Sequence, residues 1–229
     1  MKLQVKIQQY QTDAVDSTVD IFNGQPNQGL LEYKFCRGKV FVIDNGRRIE
    51  QKSFDFSGSD TGYCNSEVQL SEEELLKNIH QIQTQNNIHL SSEVIKRLGA
   101  CQLDVEMETG TGKTYVYIKT MFELNKRYGW TKFIVVVPSI AIREGVKKSF
   151  DIMQDHFMEQ YGKKSRYFVY NSDNLNQIDA YAQSADISVM IINTQAFNTS
   201  LNEKNAKSNK TARIIYDKRD EFVSRRPID

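Results

Sequence analysis

Apolar residues recur along this chain with two periods, and the places where the period changes outline its elements. Val15, Val19 and Phe22 fall at helical spacing with Asp13, Asp16 and Asp20 on the polar side, which predicts an amphipathic helix that Gly24 and Pro26 stop. Between residues 30 and 56 the runs are strand-like: Leu31, Tyr33 and Phe35, then residues 40–43, then Ile49, Phe54 and Phe56. Gly38 and Asn45-Gly46 separate them. Asn-Gly between such runs favours a hairpin, because both residues tolerate positive φ, so a small antiparallel meander is expected. Helical spacing returns with Leu75, Leu76, Ile79 and Ile82 behind the capping pair Ser71 and Glu74. A shorter helix with Val94, Ile95 and Leu98 ends at Gly99, and Cys101, Leu103 and Val105 alternate like a strand.

Beyond residue 114 helix and strand patterns alternate, the mark of β-α-β units on a parallel sheet. One helix runs to about Tyr128 and stops at Gly129. Residues 133–137 are a continuous apolar run suited to a strand covered on both faces, closed by Pro138. Ser139 can cap a long helix bearing Ile142, Val146, Phe150, Met153 and Phe157, ended by Gly162. Residues 167–170 form a strand, 175–183 a helix and 187–192 another buried strand. The fold class read from this is α/β: a parallel P-loop sheet flanked by helices, with the antiparallel meander inserted before the loop. Ligand sites in such sheets lie outside the carboxyl ends of the strands.

The chemistry is concentrated at Met107-Glu108-Thr109-Gly110-Thr111-Gly112-Lys113-Thr114, between the alternating segment and the helix. Gly110 and Gly112 permit tight dihedrals and close backbone approach to a polyphosphate, and successive N–H groups form an anion nest. Lys113 supplies a compact charge for the β- and γ-phosphates, and the Thr114 hydroxyl can ligate magnesium. The helix that follows points its positive end at the same anion. The usual phosphate-loop pattern carries a glycine where Met107 stands, so the match departs by one residue, while the Thr-Gly-x-Gly-Lys-Thr core is intact. ATP and magnesium are the expected ligands.

Composition bounds the partners. The 229 residues are 39% hydrophobic and 26% charged, which suits one folded domain, or a domain with an insert. Net charge is +1, so any contact with nucleic acid has to come from local groups. Cys36, Cys64 and Cys101 are odd in number and lack Cys-x-x-Cys spacing, which argues against a disulfide framework and a zinc site and for a reducing cytoplasm. The first residues lack a signal-peptide core and no apolar run approaches membrane-spanning length, so an intracellular protein without membrane partners is expected. His80 and His89 have no ligand-like neighbours in the sequence.

Two strand ends lead into polar segments on the rim where the phosphate loop lies. One contains Pro138, Ser139 and Arg143, the other Asn193 and Thr194. Such residues commonly cap helices, and they are also the groups that hold nucleic-acid phosphates. Tyr10-Gln11 at the first helix start reads as surface polarity or, beside an ATP site, as an amide able to address an adenine edge. Two carboxylate segments are set aside. Residues 40–44 imitate a magnesium-binding strand ending in Asp44, but Asp44 immediately precedes the turn. Asp220-Glu221 follows Asp217-Lys218-Arg219, with no apolar strand to deliver it.

Taken together, Tyr10-Gln11, residues 107–114, the Val-Pro-Ser-x-Ala-Ile-Arg-Glu-Gly run of 137–145 and residues 193–197 resemble the amino-terminal part of the restriction (Res) subunit of type III restriction-modification enzymes, a superfamily 2 helicase-like ATPase. The resemblance accounts for Met107. It implies a first RecA-like lobe over residues 1–29 and 71–229 with residues 30–70 as a β-hairpin insert. Tyr10, Gln11, Thr109, Gly110, Thr111, Gly112, Lys113 and Thr114 would hold ATP, with Thr114 also holding magnesium. Lys113 and Thr114 would be catalytic, and Pro138, Ser139, Arg143, Asn193 and Thr194 would grip the backbone of double-stranded DNA. It further implies a methylating specificity (Mod) subunit as partner and DNA cleavage by the longer protein. The family's Asp-Glu box is absent after the 187–192 strand, so these residues are expected to bind nucleotide without turning it over. A different superfamily 2 translocase and a non-catalytic nucleotide- or DNA-binding module are the alternatives.

Overall fold

The computed structural model describes residues 6–29, 31–34, 40–44, 47–51, 61–92, 101–170 and 176–194. Helix α1 (Gln9–Val19) runs into a single 3-10 turn (Asp20–Phe22), and its buried face is Gln11, Val15 and Val19. Four strands follow: β1 (Leu31–Lys34), β2 (Val40–Asp44), β3 (Arg47–Gln51) and β4 (Thr61–Cys64). They pair as two separate antiparallel ladders, β1 with β4 and β2 with β3, so no single meander is formed among the described residues. Asp44 stands opposite Arg47 in the second ladder, an antiparallel pair separate from the parallel sheet, which fits its reading as a hairpin residue.

Helix α2 (Glu72–Gln85) starts at the capping box: the Ser71 hydroxyl accepts from the Glu74 N–H while the Glu74 carboxylate accepts from the Ser71 N–H. Helix α3 (Lys113–Tyr128), strand β5 (Lys132–Val137), helix α4 (Ile140–Tyr161), strand β6 (Arg166–Val169), helix α5 (Asn176–Gln183) and strand β7 (Ser188–Asn193) build the α/β part. Its sheet has the order β5-β7-β6, all parallel. Gly129 and Gly162 end α3 and α4 in the left-handed conformation, as their sequence positions predict.

Both faces of β7 are covered. Val189 and Ile191 pack with Ile118 and Phe122 of α3 and with Phe150 and Phe157 of α4. Met190 and Ile192 pack on the other face with Ile178 and Tyr181 of α5. These side chains are almost entirely buried, so truncating Ile191 to alanine is expected to cost about 2–5 kcal/mol. The α3–α4 contact is an aromatic stack: Phe157 lies 4.8 Å from Phe122 and 5.5 Å from Tyr115 between ring centroids. α1 closes the back of α3, where Tyr128 and Trp130 meet Val15 and Val19.

The structure departs from the sequence expectations at three places. Residues 101–108 form neither helix nor strand and belong to no sheet among the described residues; Cys101 and Leu103 pack instead onto Ile21, Leu75 and Ile79. Alternation records that one face is buried, and the 3-10 turn after α1 together with α2 supplies that cover without a strand partner. β5 is covered unevenly: Phe133 and Val135 pack on one core cluster and Ile134 on the cluster of the opposite face, while Val136 near the carboxyl end is 42% exposed. Ile142 is likewise exposed, while Val146, Phe150, Met153 and Phe157 of the same stripe are buried. The expected helix around residues 94–98 and all segments from residue 195 onward lie outside the described residues.

Candidate functional site

Only Gly129, Trp130 and Thr131 separate α3 from β5, so α3 runs antiparallel to that strand and its first turn lies by the strand's carboxyl end. That brings the loop at residues 107–112 to the rim where β5 and β7 finish. Gly110 has φ +85° and Gly112 φ +86°, a region that side-chain-bearing residues rarely adopt. Gly110 faces open space. At Gly112 a Cβ would also stand 2.5 Å from the Gln11 amide nitrogen.

No side chain caps α3, whereas Ser71 and Ser139 cap α2 and α4. The first N–H groups of α3 therefore remain available to a ligand, at the positive end of a sixteen-residue helix. Lys113 folds its ammonium back on the loop, donating to the carbonyls of Met107 (2.5 Å) and Glu108 (2.8 Å). The Thr111 hydroxyl donates to Glu108 O at 2.7 Å. Thr109 is exposed in the turn.

Tyr10 and Gln11 converge on this loop from the start of α1. The Gln11 amide donates to Thr111 O at 2.9 Å and the Tyr10 hydroxyl donates to the same oxygen at 3.2 Å. Gln11 is buried and Tyr10 is half exposed. The pair is thus part of the loop's support, a contact that nothing in the sequence spacing announces.

The second group of candidates lies at the strand ends. Val137 and Asn193 are register partners, so the segments beginning at Pro138 and at Asn193 leave the sheet side by side. The Thr194 hydroxyl donates to Val137 O at 3.1 Å, clamping the two exits together. Ser139 caps α4 by accepting from the Ile142 N–H at 3.3 Å. Arg143 lies against Glu144 at 3.1 Å, and Pro138 is exposed.

The sequence reading missed the aromatic hydroxyls of α3. Tyr115 lies 3.3 Å from His156 Nε2, and burial is the main reason its phenol titrates above the usual range. The Tyr117 hydroxyl is buried and has no hydrogen-bond partner, and burial raises its pKa as well. Their spacing after Thr114 was the available signal. A cleft of about 830 Å³ lined by Asn125, Lys147, Asp151, Gln154, Lys163 and Arg166 lies toward the other end of α3 and contains none of the candidates. Thr114 is not accompanied by an acidic cage: among the described residues no three His, Cys, Asp or Glu side chains could hold a metal ion together. No helix among them is long and apolar enough to cross a membrane.

Comparison with known proteins decides the family. The family model described as type III restriction enzyme, Res subunit, matches residues 68–222. The chain belongs to this family. Three Res subunits of type III restriction-modification enzymes are similar to it. EcoPI of Escherichia phage P1 is 40% identical over 111 residues, and EcoP15I of Escherichia coli is 41% identical over 111. StyLTI of Salmonella typhimurium strain LT2 is 44% identical over 77. These stretches cover 47%, 48% and 32% of the chain, but only 11%, 11% and 8% of the relatives. The Res-subunit match takes in α2, the loop, α3 and the whole parallel sheet, whereas Tyr10 and Gln11 fall before it.

Proposed function

We propose that this chain is the ATP-binding and DNA-backbone-contacting portion of the motor of a type III restriction endonuclease. Residues 1–29 and 71–229 form the first RecA-like lobe, with residues 30–70 an antiparallel insert. The observation that carries the reading is the support given to Thr111 by Tyr10 and Gln11 beside two left-handed glycines, an uncapped helix start and Lys113.

The donor set fits a magnesium nucleotide. Gly110 and Gly112 leave the nest free of side chains, the N–H groups from Gly112 to Thr114 face phosphate oxygens, and Lys113 exchanges two carbonyls for a stronger anionic acceptor. Thr114 offers a hard oxygen to magnesium. The metal, when bound, offsets phosphate charge. Gln11 and Tyr10 hold the loop and present the adenine side of the site.

Pro138, Ser139, Arg143, Asn193 and Thr194 form the DNA-facing rim, and a Mod subunit supplies sequence recognition in the cytoplasm. Hydrolysis needs an oriented water and charge stabilisation beyond the phosphate loop. The sequence between residues 194 and 229 shows no apolar run leading directly into Asp-Glu, which supports the reading that these residues bind nucleotide without turning it over.

Titration with a fluorescent ATP analogue, repeated on Lys113→Ala, tests the nucleotide site. Binding that the variant abolishes is expected, and equal binding by both proteins would refute the assignment. ATP hydrolysis that Lys113→Ala abolishes would refute the claim of no turnover. Affinity for duplex DNA should fall steeply with salt, and a flat response would remove the backbone contacts.

A further inference from the structure

Lys147, Asp151, Gln154 and Met158 follow one another at helical spacing along α4, on the flank beside its buried stripe, and all four line the cleft of about 830 Å³. Lys163 and Arg166, from the turn after α4 and the start of β6, line it too. The cleft is held from within the protein. The Lys163 ammonium donates at 3.0 Å to Oδ1 of Asn125, an amide that is itself buried and donates to Trp130 O. The Gln154 amide donates to Ser165 O at 3.3 Å and so joins α4 to the same turn.

The two carboxylates of the cleft already have donors. Asp151 accepts from the Tyr167 hydroxyl, and Asp186 pairs with Arg166 Nε at 2.9 Å. Lys164 lies 4.0 Å from Asp155. The other cations keep capacity in hand. Lys147 has no hydrogen bond or ion pair among the described residues, Lys163 holds only a neutral amide oxygen, and the terminal nitrogens of Arg166 have no partner among those residues. Charged donors bond more strongly to an anionic acceptor than to a neutral one, so the ligand that suits this cleft is an anion.

Its extent selects the class of anion. From Lys147 to Met158 the helix rises about 16 Å, and Lys163 follows beyond it. A single nucleotide joins its phosphates through shared oxygens and cannot serve both ends, whereas a DNA strand carries one phosphate every ~3.4 Å of axis. The same stripe of α4 also runs back to Arg143, one turn before Lys147, on the rim assigned to DNA. We propose that this flank of α4 and its cleft are a second DNA-backbone site, in which Lys147, Lys163 and Arg166 take successive phosphates of a duplex that passes Arg143. The inference rests on the DNA-contacting reading above and carries the contact surface from the strand ends down the length of α4.

The test is the anisotropy of a fluorescein-labelled duplex of about thirty base pairs, titrated with protein between about 50 and 200 mM salt. Lys147→Gln should lower the slope of log affinity against log salt by about one, and Lys147→Gln with Lys163→Gln by about two. Lys147 has no partner to lose, so its variant reads the DNA contact without a change in the fold. Arg143→Gln serves as the rim comparison. Lys6→Gln with Lys77→Gln removes the same charge from exposed lysines outside the cleft and should leave the slope unchanged.

A slope that Arg143→Gln lowers and the cleft variants do not would overturn the proposal while leaving the rim assignment in place. Equal reductions in the cleft pair and the Lys6 and Lys77 pair would trace the effect to overall charge and overturn it as well. So would cleft variants that keep full DNA affinity but lose binding to polyglutamate, since the cleft would then receive an acidic polypeptide. Absence of salt-dependent DNA binding by the wild type would instead sink the underlying reading, and this inference with it.

Discussion

The Gln11 side chain donates to the carbonyl oxygen of Thr111 across a separation of 100 residues, and Gly112 leaves the space through which it does so. A methyl group at 112 would meet that amide and would also sit at a left-handed φ.

Gly112→Ala should therefore cost about 1–2 kcal/mol in backbone strain alone, and more from the clash. Gln11→Ala should cost about 1 kcal/mol for its hydrogen bond. The two effects should be sub-additive, because removing the amide removes the clash. Urea unfolding of both single variants and the double variant measures this, and strict additivity would mean that the loop moves away from α1 freely.

Arg127 joins three carboxylates. It bonds Asp16 at 3.0 Å and Asp20 of the α1 segment, with Glu123 of its own helix at 3.6 Å. Because the guanidinium is partly exposed, Arg127→Ala should destabilise by only about 1 kcal/mol at low salt and by less at high salt. Unfolding midpoints at two ionic strengths would show it; a salt-independent loss would point to packing of the arginine stem instead.

His156 introduces a pH dependence. It faces the Tyr115 hydroxyl and the Phe157 ring, with Glu159 and Lys119 as the charged groups acting on it. Burial, aided by Lys119 and opposed by Glu159, lowers its pKa below that of an ordinary histidine. The unfolded chain thus takes up the proton first as pH falls. The contribution is complete above the unfolded value near 6.5 and is lost as pH drops from there through the folded value. Unfolding from pH 8 to pH 5 should lose stability more steeply in the wild type than in His156→Gln. Parallel curves would assign the acid sensitivity elsewhere.

Much of the α/β part was legible because its signals are local. Ser71 with Glu74, Ser139, Gly129 and Gly162 mark helix ends through bonds that their neighbours make, and the structure places the helix boundaries there. The run at residues 187–192 reads as a buried strand because both faces of β7 meet helices. Residues 101–105 were misleading since a period of two reports burial on one side and says nothing of a ladder partner. Within the site, Lys113 and Thr114 stood out by motif. The docking of Gln11 on Thr111 could not be read, because it depends on how α1 packs behind α3.

Lys113 gives the resting loop a kinetic character. Its ammonium is held by two carbonyls, so under the proposed function an incoming phosphate would first have to displace those contacts before drawing the charge to itself. Capture would then be a two-step event, encounter followed by rearrangement, with a rate that levels off with rising nucleotide concentration at the speed with which the lysine lets go.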